Sequence, residues 1–472
     1  MWSKKLFRKL NTIFCWLLVV LPGATTSGGE AVYETPAKLV FEPYRLPNMH
    51  VGISTELLNA LLAKNTRTHA PFRENILGTT YRGTSTTDAQ FSLRTEPDDD
   101  IAITLLWNAT IASRSHSSTN RTDVSSRSTT HINASKKLIR QEDGWHIEPA
   151  QASTSSRSQI TGLKVRRLFG RRIARRRVYQ QRPTVDRRVA SLAARRTRQE
   201  FDHSVNTMLA SLEGDFDRRV RQPLAERDLL PVVVQQHSTN DSLQLTLLQA
   251  DAEQQGTLTG FSHSVPQSAG DISLSLHQSA FNNFATDLLA GERLDEDQLA
   301  AQLGKLLGWK PLGLQRSDSE KRWSIDFDQA NPLRVEFHEG IVMVTLLARG
   351  FQIDDQAIPG ARLRVAYQLS VADSQLVGQR QGRIEIMPVA TGPAAENVGV
   401  RFQVFRSMLS RRFDRLFPAE FTWSEPPVAQ NWPPHAALYF SQLQARDEWL
   451  QIGCSLIPGS PTYSPPVVRS VK

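Results

Sequence analysis

The chain has very few cysteines, and this scarcity excludes a fold stabilised by disulfides. Only Cys15 and Cys454 are present among its 472 residues, and Cys15 lies in an N-terminal targeting segment that export would remove. With a single thiol left, the mature chain can form no internal disulfide. Such a protein must be stabilised by its hydrophobic core, which suits a bacterial envelope better than an animal extracellular fluid.

Motifs that carry catalytic chemistry are also missing. The sequence contains no Gly-x-Ser-x-Gly elbow, no phosphate-binding loop and no dinucleotide fingerprint. His116, His131 and His146 are evenly spaced, but such steps along strands do not bring metal ligands together. We therefore expect no metal site and no cofactor, and a protein that is not an enzyme. An exported hydrolase of unrecognised type is the alternative.

Long apolar runs are absent after the N-terminus. The first nine residues include four basic ones, and a short apolar stretch follows over residues 13–21. That stretch is well short of the roughly 20 residues that a membrane-spanning helix needs. The pattern predicts a Sec-type signal peptide over residues 1–31, cleaved after Ala24 or Ala31, and export to the periplasm, cell envelope or medium. An uncleaved membrane anchor is the alternative.

Acidic residues are nearly absent from residues 164–198, where Asp186 is the only one. Arginine suits planar, bidentate contact with phosphate and carboxylate groups, so this segment could contact an anionic membrane surface or lipopolysaccharide. Export and the scarcity of interleaved aromatic residues argue against nucleic acid. A solvated helix face is the alternative that needs no partner. The candidates for anionic contact are Arg166, Arg167, Arg171, Arg172, Arg175, Arg176 and Arg177.

What the chain does have is an internal repeat. Residues 51–62 read VGISTELLNALL and residues 274–285 read LSLHQSAFNNFA, which aligns Asn59 with Asn282. Each segment predicts a short strand followed by an apolar-faced helix. Further on, ITLL at residues 103–106 matches VTLL at residues 344–347. A duplication of such long period limits the possible folds more than any single residue does.

The hydrophobic patterning predicts the remaining elements. Period-two alternation over residues 79–160 predicts long antiparallel strands with one solvated face, and we assign the Ser/Thr-rich run 113–135 to strands with a polar outer face. Apolar residues at three- and four-residue steps predict one long amphipathic helix over 184–222, starting after Pro183, and a closing helix over 402–416.

These elements predict an α+β fold with two pseudo-repeated modules, each a long curved antiparallel sheet wrapped around a long amphipathic helix. The expected boundaries are a leader over 32–46, a first module over 47–226, connecting strands over 227–269, a second module over 270–456 and a flexible Pro-rich tail over 457–472.

This element order and duplication resemble the tubular lipid-binding superfamily, which includes the bactericidal/permeability-increasing protein group and related bacterial envelope proteins. The resemblance spans residues 47–455, and its sharpest residue pattern is the strand-to-helix segment at 51–62 and 274–285. It implies paired sheet-and-helix modules that often hold a lipid in an apolar tunnel. The chain lacks the disulfide of the animal members, which favours a bacterial relative.

The expected function is therefore an exported, non-enzymatic envelope protein that binds or carries a lipid or another apolar ligand. The alternative is a structural scaffold with a filled core, because a tunnel lining and an ordinary core share one sequence pattern. The candidates for lining a tunnel lie on the apolar faces of the two repeated helices: Leu57, Leu58, Leu61, Phe281, Phe284 and Leu288.

Overall fold

The structure is a computed structural model, and it describes most of the chain between residues 46 and 457. The segments outside the description within that span are 63–65, 120–121, 142–143, 167–170, 227–228, 252–253, 258–269, 296, 300–322, 354–355, 390–397, 425 and 427–436. The predicted signal peptide, nearly all of the leader and nearly all of the tail also lie outside the described residues.

The described residues form five α-helices and twenty strands. The helices are α1 (Thr55–Leu62), α2 (Arg171–Phe216), α3 (Gln222–Ala225), α4 (Gln278–Leu289) and α5 (Val398–Leu416), and a π-helical turn, Asp217–Arg221, joins α2 to α3. The strands are β1 (Met49–Ser54), β2 (Thr66–Ile76), β3 (Thr79–Glu96), β4 (Ile101–Ser118), β5 (Thr122–Gln141), β6 (Gly144–Ile147), β7 (Gln151–Val165), β8 (Val232–Ser238), β9 (Ser242–Leu248), β10 (Ile272–His277), β11 (Arg293–Asp295), β12 (Trp323–Phe327), β13 (Leu333–His338), β14 (Ile341–Ile353), β15 (Gln356–Ala372), β16 (Gln375–Arg380), β17 (Glu385–Pro388), β18 (Glu420–Trp423), β19 (Leu438–Arg446) and β20 (Trp449–Leu456).

These strands form three antiparallel sheets. The first sheet has the order β2-β3-β4-β5-β6, and β7 also pairs with β5. The central sheet has the order β19-β20-β10-β1-β9-β8. The second sheet has the order β11-β12-β14-β15-β16-β18, with β13 on β14 and β17 on β15. None of the described helices combines the length and hydropathy that a bilayer crossing requires.

The predicted fold class is wrong. The described structure is mostly sheet, with 58% strand and 26% helix, and it has a single long helix rather than one in each of two modules. α2 has 46 residues whereas α5 has 19, and α2 packs chiefly along one strand, β7, so the first sheet is not wrapped around it. Helical periodicity predicts that a helix forms, but it does not predict how much of the sheet that helix contacts.

The long helix also begins earlier than expected. α2 starts at Arg171 and continues through Pro183, so Arg172, Arg175, Arg176 and Arg177 lie on the helix rather than before it. Arginine is a good helix former, and a run of arginines over residues 171–177 extends the helix on its N-terminal side. Proline in an interior position removes one backbone hydrogen bond, and here that loss does not end the helix.

The two repeated segments occupy equivalent places. β1 and β10 are antiparallel neighbours at the centre of the central sheet, where Val51 lies opposite Leu274. Each strand continues directly into a helix, α1 or α4. The other neighbour of β1 is β9 and that of β10 is β20, so the sheet has the same strand arrangement on either side of the β1–β10 seam.

The paired asparagines make matching contacts. Asn59 accepts a hydrogen bond from the Leu93 backbone N–H (2.8 Å) and donates one to the Leu93 carbonyl (2.8 Å). Asn282 accepts from the Val335 N–H (2.7 Å) and donates to the Val335 carbonyl (3.2 Å). Leu93 lies beyond the part of β3 that pairs with β2, so the Asn59 amide substitutes for a missing strand partner.

Loss of either amide should therefore be costly. We expect Asn59→Ala and Asn282→Ala each to lower the free energy of unfolding by about 2–3 kcal/mol, because a backbone donor and acceptor lose their partners in a half-buried position. Urea denaturation would measure this. Asn75→Ala, at an exposed position of β2, is the control and should change the free energy by less than about 0.5 kcal/mol.

The second matched segment is displaced by two residues. Leu93 lies opposite Leu105 and Val335 lies opposite Val344, so Leu105, rather than Ile103, is the structural counterpart of Val344. A two-residue slip along a strand keeps every side chain on the same face. The hydrophobic pattern therefore cannot distinguish the two alignments.

A half-buried histidine, His50, lies at the β1–β10 seam. The ring centroid of His50 lies 5.4 Å from that of Trp449, and His50 Nδ1 lies 3.2 Å from the Thr246 hydroxyl. Burial lowers the pKa of His50 from 6.5 to about 4. The nearby His277 also has a lowered pKa, because burial outweighs its hydrogen bond to Glu448.

Stability should fall as the pH drops below 6.5. Between pH 6.5 and 4 the unfolded chain binds a proton at His50 that the folded chain does not bind, so protonation favours unfolding. At pH 5 we expect His50 to account for about 1–2 kcal/mol of the loss relative to pH 7. Denaturation at both pH values should show a smaller loss for His50→Gln than for the parent, and an unchanged loss for His69→Gln, which is exposed on β2.

Candidate ligand groove

A groove lies between the first half of α2 and the inner face of the first sheet. Its volume is about 370 Å³, within the range of about 300–1,000 Å³ that small-molecule sites occupy. Strands β2, β3, β4, β5 and β7 form its floor and walls, and α2 forms its roof. The groove can therefore accept a ligand of small-molecule size.

The floor consists mostly of serine and threonine side chains, with Ile111, Val124 and Ile160 as aliphatic exceptions. The hydroxyl oxygens of Ser113 and Ser128 are 2.6 Å apart, and those of Ser115 and Ser126 are 2.8 Å apart. Both pairs join directly opposed residues of β4 and β5. Because these hydroxyls bond to each other across the strands, the floor is polar but satisfied, and its short side chains leave the space above it open.

The roof is partly aliphatic. Val178, Val185 and Val189 line the groove from α2, at spacings of seven and four residues that place them on one helix face. All three are half-buried, because the short floor side chains do not fill the space beneath them. An aliphatic roof over a hydroxyl floor gives the groove one apolar and one polar side.

A hydrogen bond on the β7 side and an ion pair on the β2 side hold α2 to the sheet on opposite sides of the groove. Arg182 Nε lies 3.7 Å from Asp186 Oδ2, which accepts a hydrogen bond from the Ser158 backbone N–H of β7. On the β2 side, the Arg196 guanidinium donates two hydrogen bonds to the Glu74 carboxylate. The Glu74 hydrogen bond raises the pKa of Arg196. These groups place both charge signs at the groove.

Larger side chains line the wall formed by β2 and β3. Phe72, Ile76 and Tyr81 face the groove, and Ile76 is buried. Burial raises the pKa of the Tyr81 phenol, against the opposing effect of a hydrogen bond with Ser117. The wall therefore offers aromatic and aliphatic contact beside the serine floor.

Beyond the groove, the space between the sheet and α2 is filled. Leu105 and Leu138 replace the serines on the inner face, and α2 packs Phe201 and Val205 into the same cluster. The Lys136 ammonium, with 2% of its side chain exposed, pairs there with the Asp202 carboxylate of α2. The same sheet thus has a packed end next to the central sheet and an open end near the start of α2.

The six residues predicted to line a tunnel lie elsewhere. Leu57, Leu58 and Leu61 are buried in the cluster between α1, α2 and the first sheet. Phe281 packs edge-on against Phe337 at a centroid distance of 5.5 Å. Phe284 is half-buried on α4, and Leu288 packs against the core of the second sheet. The residues that line the groove form a different set, and a ligand-lining role for these six stays a prediction.

The arginine candidates are divided among several positions. Arg166 is tied to Asp123 (3.0 Å) and Ser118 (3.0 Å). Arg167 and the side chain of Arg171 lie outside the described residues. Arg172, Arg175, Arg176 and Arg177 are exposed on the first two turns of α2, and the Arg175 guanidinium lies 5.9 Å from the Tyr179 ring centroid.

Sequence reasoning missed the floor of the groove. The Ser/Thr-rich run does form the predicted strands, but its serines do not all lie on a polar outer face, because Ser113, Ser115, Ser126 and Ser128 line the groove. The sequence did hold one indication of this: within one strand, serine occurs at both odd-numbered and even-numbered positions, which face opposite sides of the sheet. Where neither set is apolar, the pattern does not say which face is enclosed.

Comparison with known proteins gives limited information. No family model matches the chain, and no curated protein matches it. Two similar solved structures are a lipopolysaccharide binding protein (10% identity, TM-score 0.30, covering 87% of this chain and 99% of that one) and P47 from Clostridium botulinum A2 (8% identity, TM-score 0.26, covering 87% and 97%). TM-scores this low do not establish a shared fold, so membership of the tubular lipid-binding superfamily stays a prediction from the sequence.

Proposed function

We propose that this chain is an exported, non-enzymatic envelope protein that binds a lipid or a similar amphiphile in the groove under α2. The observation that carries the proposal is the open volume of about 370 Å³ between half-buried valines and a floor of paired hydroxyls. An acyl chain along the roof would gain on the order of 0.8 kcal/mol for each buried methylene. Polar groups of the same ligand would contact the floor and the ion pairs.

The lining residues favour binding over catalysis. The described groove lining contains no histidine and no cysteine. The floor serines bond to other serines, as in the Ser113–Ser128 and Ser115–Ser126 pairs, rather than to a general base that would activate a nucleophile. The open volume, in turn, supports a ligand-binding protein over a scaffold with a filled core.

We also propose that the start of α2 contacts an anionic membrane surface. Ile173 is 75% exposed among the arginines of the first turns, and Leu77 in the β2–β3 turn is 60% exposed. The strand register places that turn and the end of β7 at the same end of the first sheet. Exposed apolar side chains beside arginines suit an interface of anionic headgroups.

This contact should appear as salt-sensitive binding to anionic vesicles. We expect Arg172→Gln/Arg176→Gln to weaken partition into phosphatidylglycerol-containing vesicles by about tenfold, with little change for vesicles of neutral lipid. Co-sedimentation at two salt concentrations would measure it. Arg362→Gln/Arg364→Gln removes the same charge from exposed positions of β15 and is the control. Equal losses in the two double variants would contradict a specific contact at α2.

The test of ligand binding is native mass spectrometry of the mature protein, purified without detergent from the envelope fraction of its own host. A bound mass that organic extraction releases and identifies as a lipid would support the proposal. A uniform unliganded mass, together with no uptake of a fluorescent fatty acid added to the protein, would contradict it.

A further inference from the structure

The outer face of the first sheet, opposite the groove, carries a diagonal row of arginines. The row, called here the outer-face stripe, places one arginine on each of five strands: Arg73 on β2, Arg82 on β3, Arg114 on β4, Arg127 on β5 and Arg157 on β7. All five side chains belong to exposed residues. The stripe is separate from the basic run at the start of α2.

The strand register fixes the geometry of the stripe. Arg73 lies directly opposite Arg82, and Arg114 lies directly opposite Arg127. The second pair is displaced from the first by two residues along the strands, which keeps all of these arginines on one face. Arg157, which lies opposite Thr129, is displaced by two more residues in the same direction. With strands about 4.8 Å apart and same-face residues about 6.7 Å apart, the row extends roughly 20–25 Å.

The stripe is not neutralised within the described part of the chain. None of its arginines forms an ion pair with another described residue. The carboxylates of Asp88 and Asp123, which flank the stripe, already form ion pairs with other arginines. Asp88 pairs with Arg67 at 3.4 Å, and Asp123 pairs with Arg166 at 3.0 Å. Like charges directly opposite each other across strands are destabilising, so an anionic partner would relieve a repulsion that folding creates.

The neighbouring side chains indicate which anion fits. Thr84, Thr86 and Thr129 lie between the arginines on the same face, together with His69 and His116. Among the described residues, the large exposed hydrophobic side chains lie elsewhere, so this face lacks the apolar contact that helps a protein bind a membrane surface. It also lacks the aromatic platforms on which nucleic-acid bases stack.

We propose that the outer-face stripe binds a linear anionic polysaccharide, with the guanidinium groups on its sulfate, phosphate or carboxylate groups and the threonine hydroxyls on its sugar hydroxyls. A polymer with charges repeated along an extended backbone matches a straight row of exposed cations in both charge and length. Guanidinium groups form paired hydrogen bonds with such oxyanions. The inference is independent of the groove and of the ligand proposed for it.

The test uses heparin as the probe and the full mature protein. We expect Arg114→Gln/Arg127→Gln to bind heparin at least about tenfold more weakly than the parent. The slope of log affinity against log salt should become shallower by about two, one for each arginine replaced. Arg362→Gln/Arg364→Gln, with the same net charge, should keep the affinity and slope of the parent. Heparin should also raise the melting temperature of the parent and of this control, but not that of the stripe variant.

Several outcomes would overturn the proposal. One is an equal loss in the stripe variant and in the β15 control, which would mean that net charge alone governs binding. Another is retention of heparin by the stripe variant with loss in Arg172→Gln/Arg176→Gln, which would assign binding to α2. A third is stripe-dependent binding of duplex DNA or anionic vesicles that exceeds heparin binding. The double variants are comparable if each melts in a single transition in the absence of heparin.

Discussion

Asp202→Ala is expected to lower the free energy of unfolding by about 3–5 kcal/mol, because it leaves an uncompensated charge in the core. Asp202 Oδ1 accepts hydrogen bonds from the Lys136 ammonium and from the Ala150 backbone N–H (2.9 Å). The Lys136 side chain is 2% exposed, so water cannot replace the missing carboxylate there without opening the core. The Ala150 N–H loses its partner as well, which adds to the cost.

A double variant separates the buried charge from the loss of packing. Lys136→Met/Asp202→Ala removes both charges and keeps a long apolar side chain in the core, so we expect it to recover at least half of the loss. Urea denaturation at pH 7 would measure all three proteins. A cost below about 1 kcal/mol for Asp202→Ala alone would show that the Lys136 ammonium is solvated in the folded protein.

This ion pair also bears on the groove. Asp202 lies on α2 between three and four turns beyond Val189, and its partners belong to β5 and to the segment just before β7. It therefore fixes the helix to the sheet at the packed end, while Asp186 and Arg196 hold it along the open end. The width of the groove depends on these contacts, because its floor side chains are too short to support the helix themselves.

The elements of this chain follow well from its sequence where the patterning is strong. Alternation over residues 79–160 predicts long antiparallel strands, and β3, β4, β5 and β7 confirm them. The similarity of residues 51–62 and 274–285 anticipates two equivalent strand-to-helix segments, down to the matching contacts of Asn59 and Asn282. These features depend on local patterning, or on one polar side chain whose hydrogen bonds fix its position.

The features that could not be predicted depend on contacts distant in sequence. The extent of wrapping depends on how many strands α2 touches, and helix periodicity does not report that number. The start of α2 depends on whether Pro183 ends the helix, and a single backbone hydrogen bond does not decide it. The groove depends on which set of serines faces α2, and alternation between two polar sets leaves that choice open.

The outer-face stripe is another feature that cannot be predicted from the sequence. Arg73, Arg82, Arg114, Arg127 and Arg157 are scattered along the sequence and do not form a basic run. Only the register of four strand pairings brings them into one row. The run at 164–198 is conspicuous in the sequence, whereas the stripe is visible only in the fold.

The second large effect concerns the groove itself. Ser113→Phe/Ser128→Phe is expected to weaken binding of a fluorescent fatty acid by about 30-fold or more, because two phenyl rings on the floor would occupy the space beneath Val185 and Val189. Excluding two to three methylenes of an acyl chain from burial costs on the order of 2 kcal/mol, which corresponds to about 30-fold in Kd. The rings would pack against the aliphatic roof, so the free energy of unfolding should not fall by more than about 1 kcal/mol.

The matched control lies on the other side of the same two strands. Ala112→Phe/Thr129→Phe adds the same rings to directly opposed residues of β4 and β5, but on the outer face, where both residues are exposed. Fluorescence titration should give the parent affinity for this control. The amount of lipid that co-purifies should fall in the floor variant only. If both variants bind the probe as the parent does, the ligand lies outside the groove; if both fail to bind it, the rings act through the sheet rather than by filling the cavity.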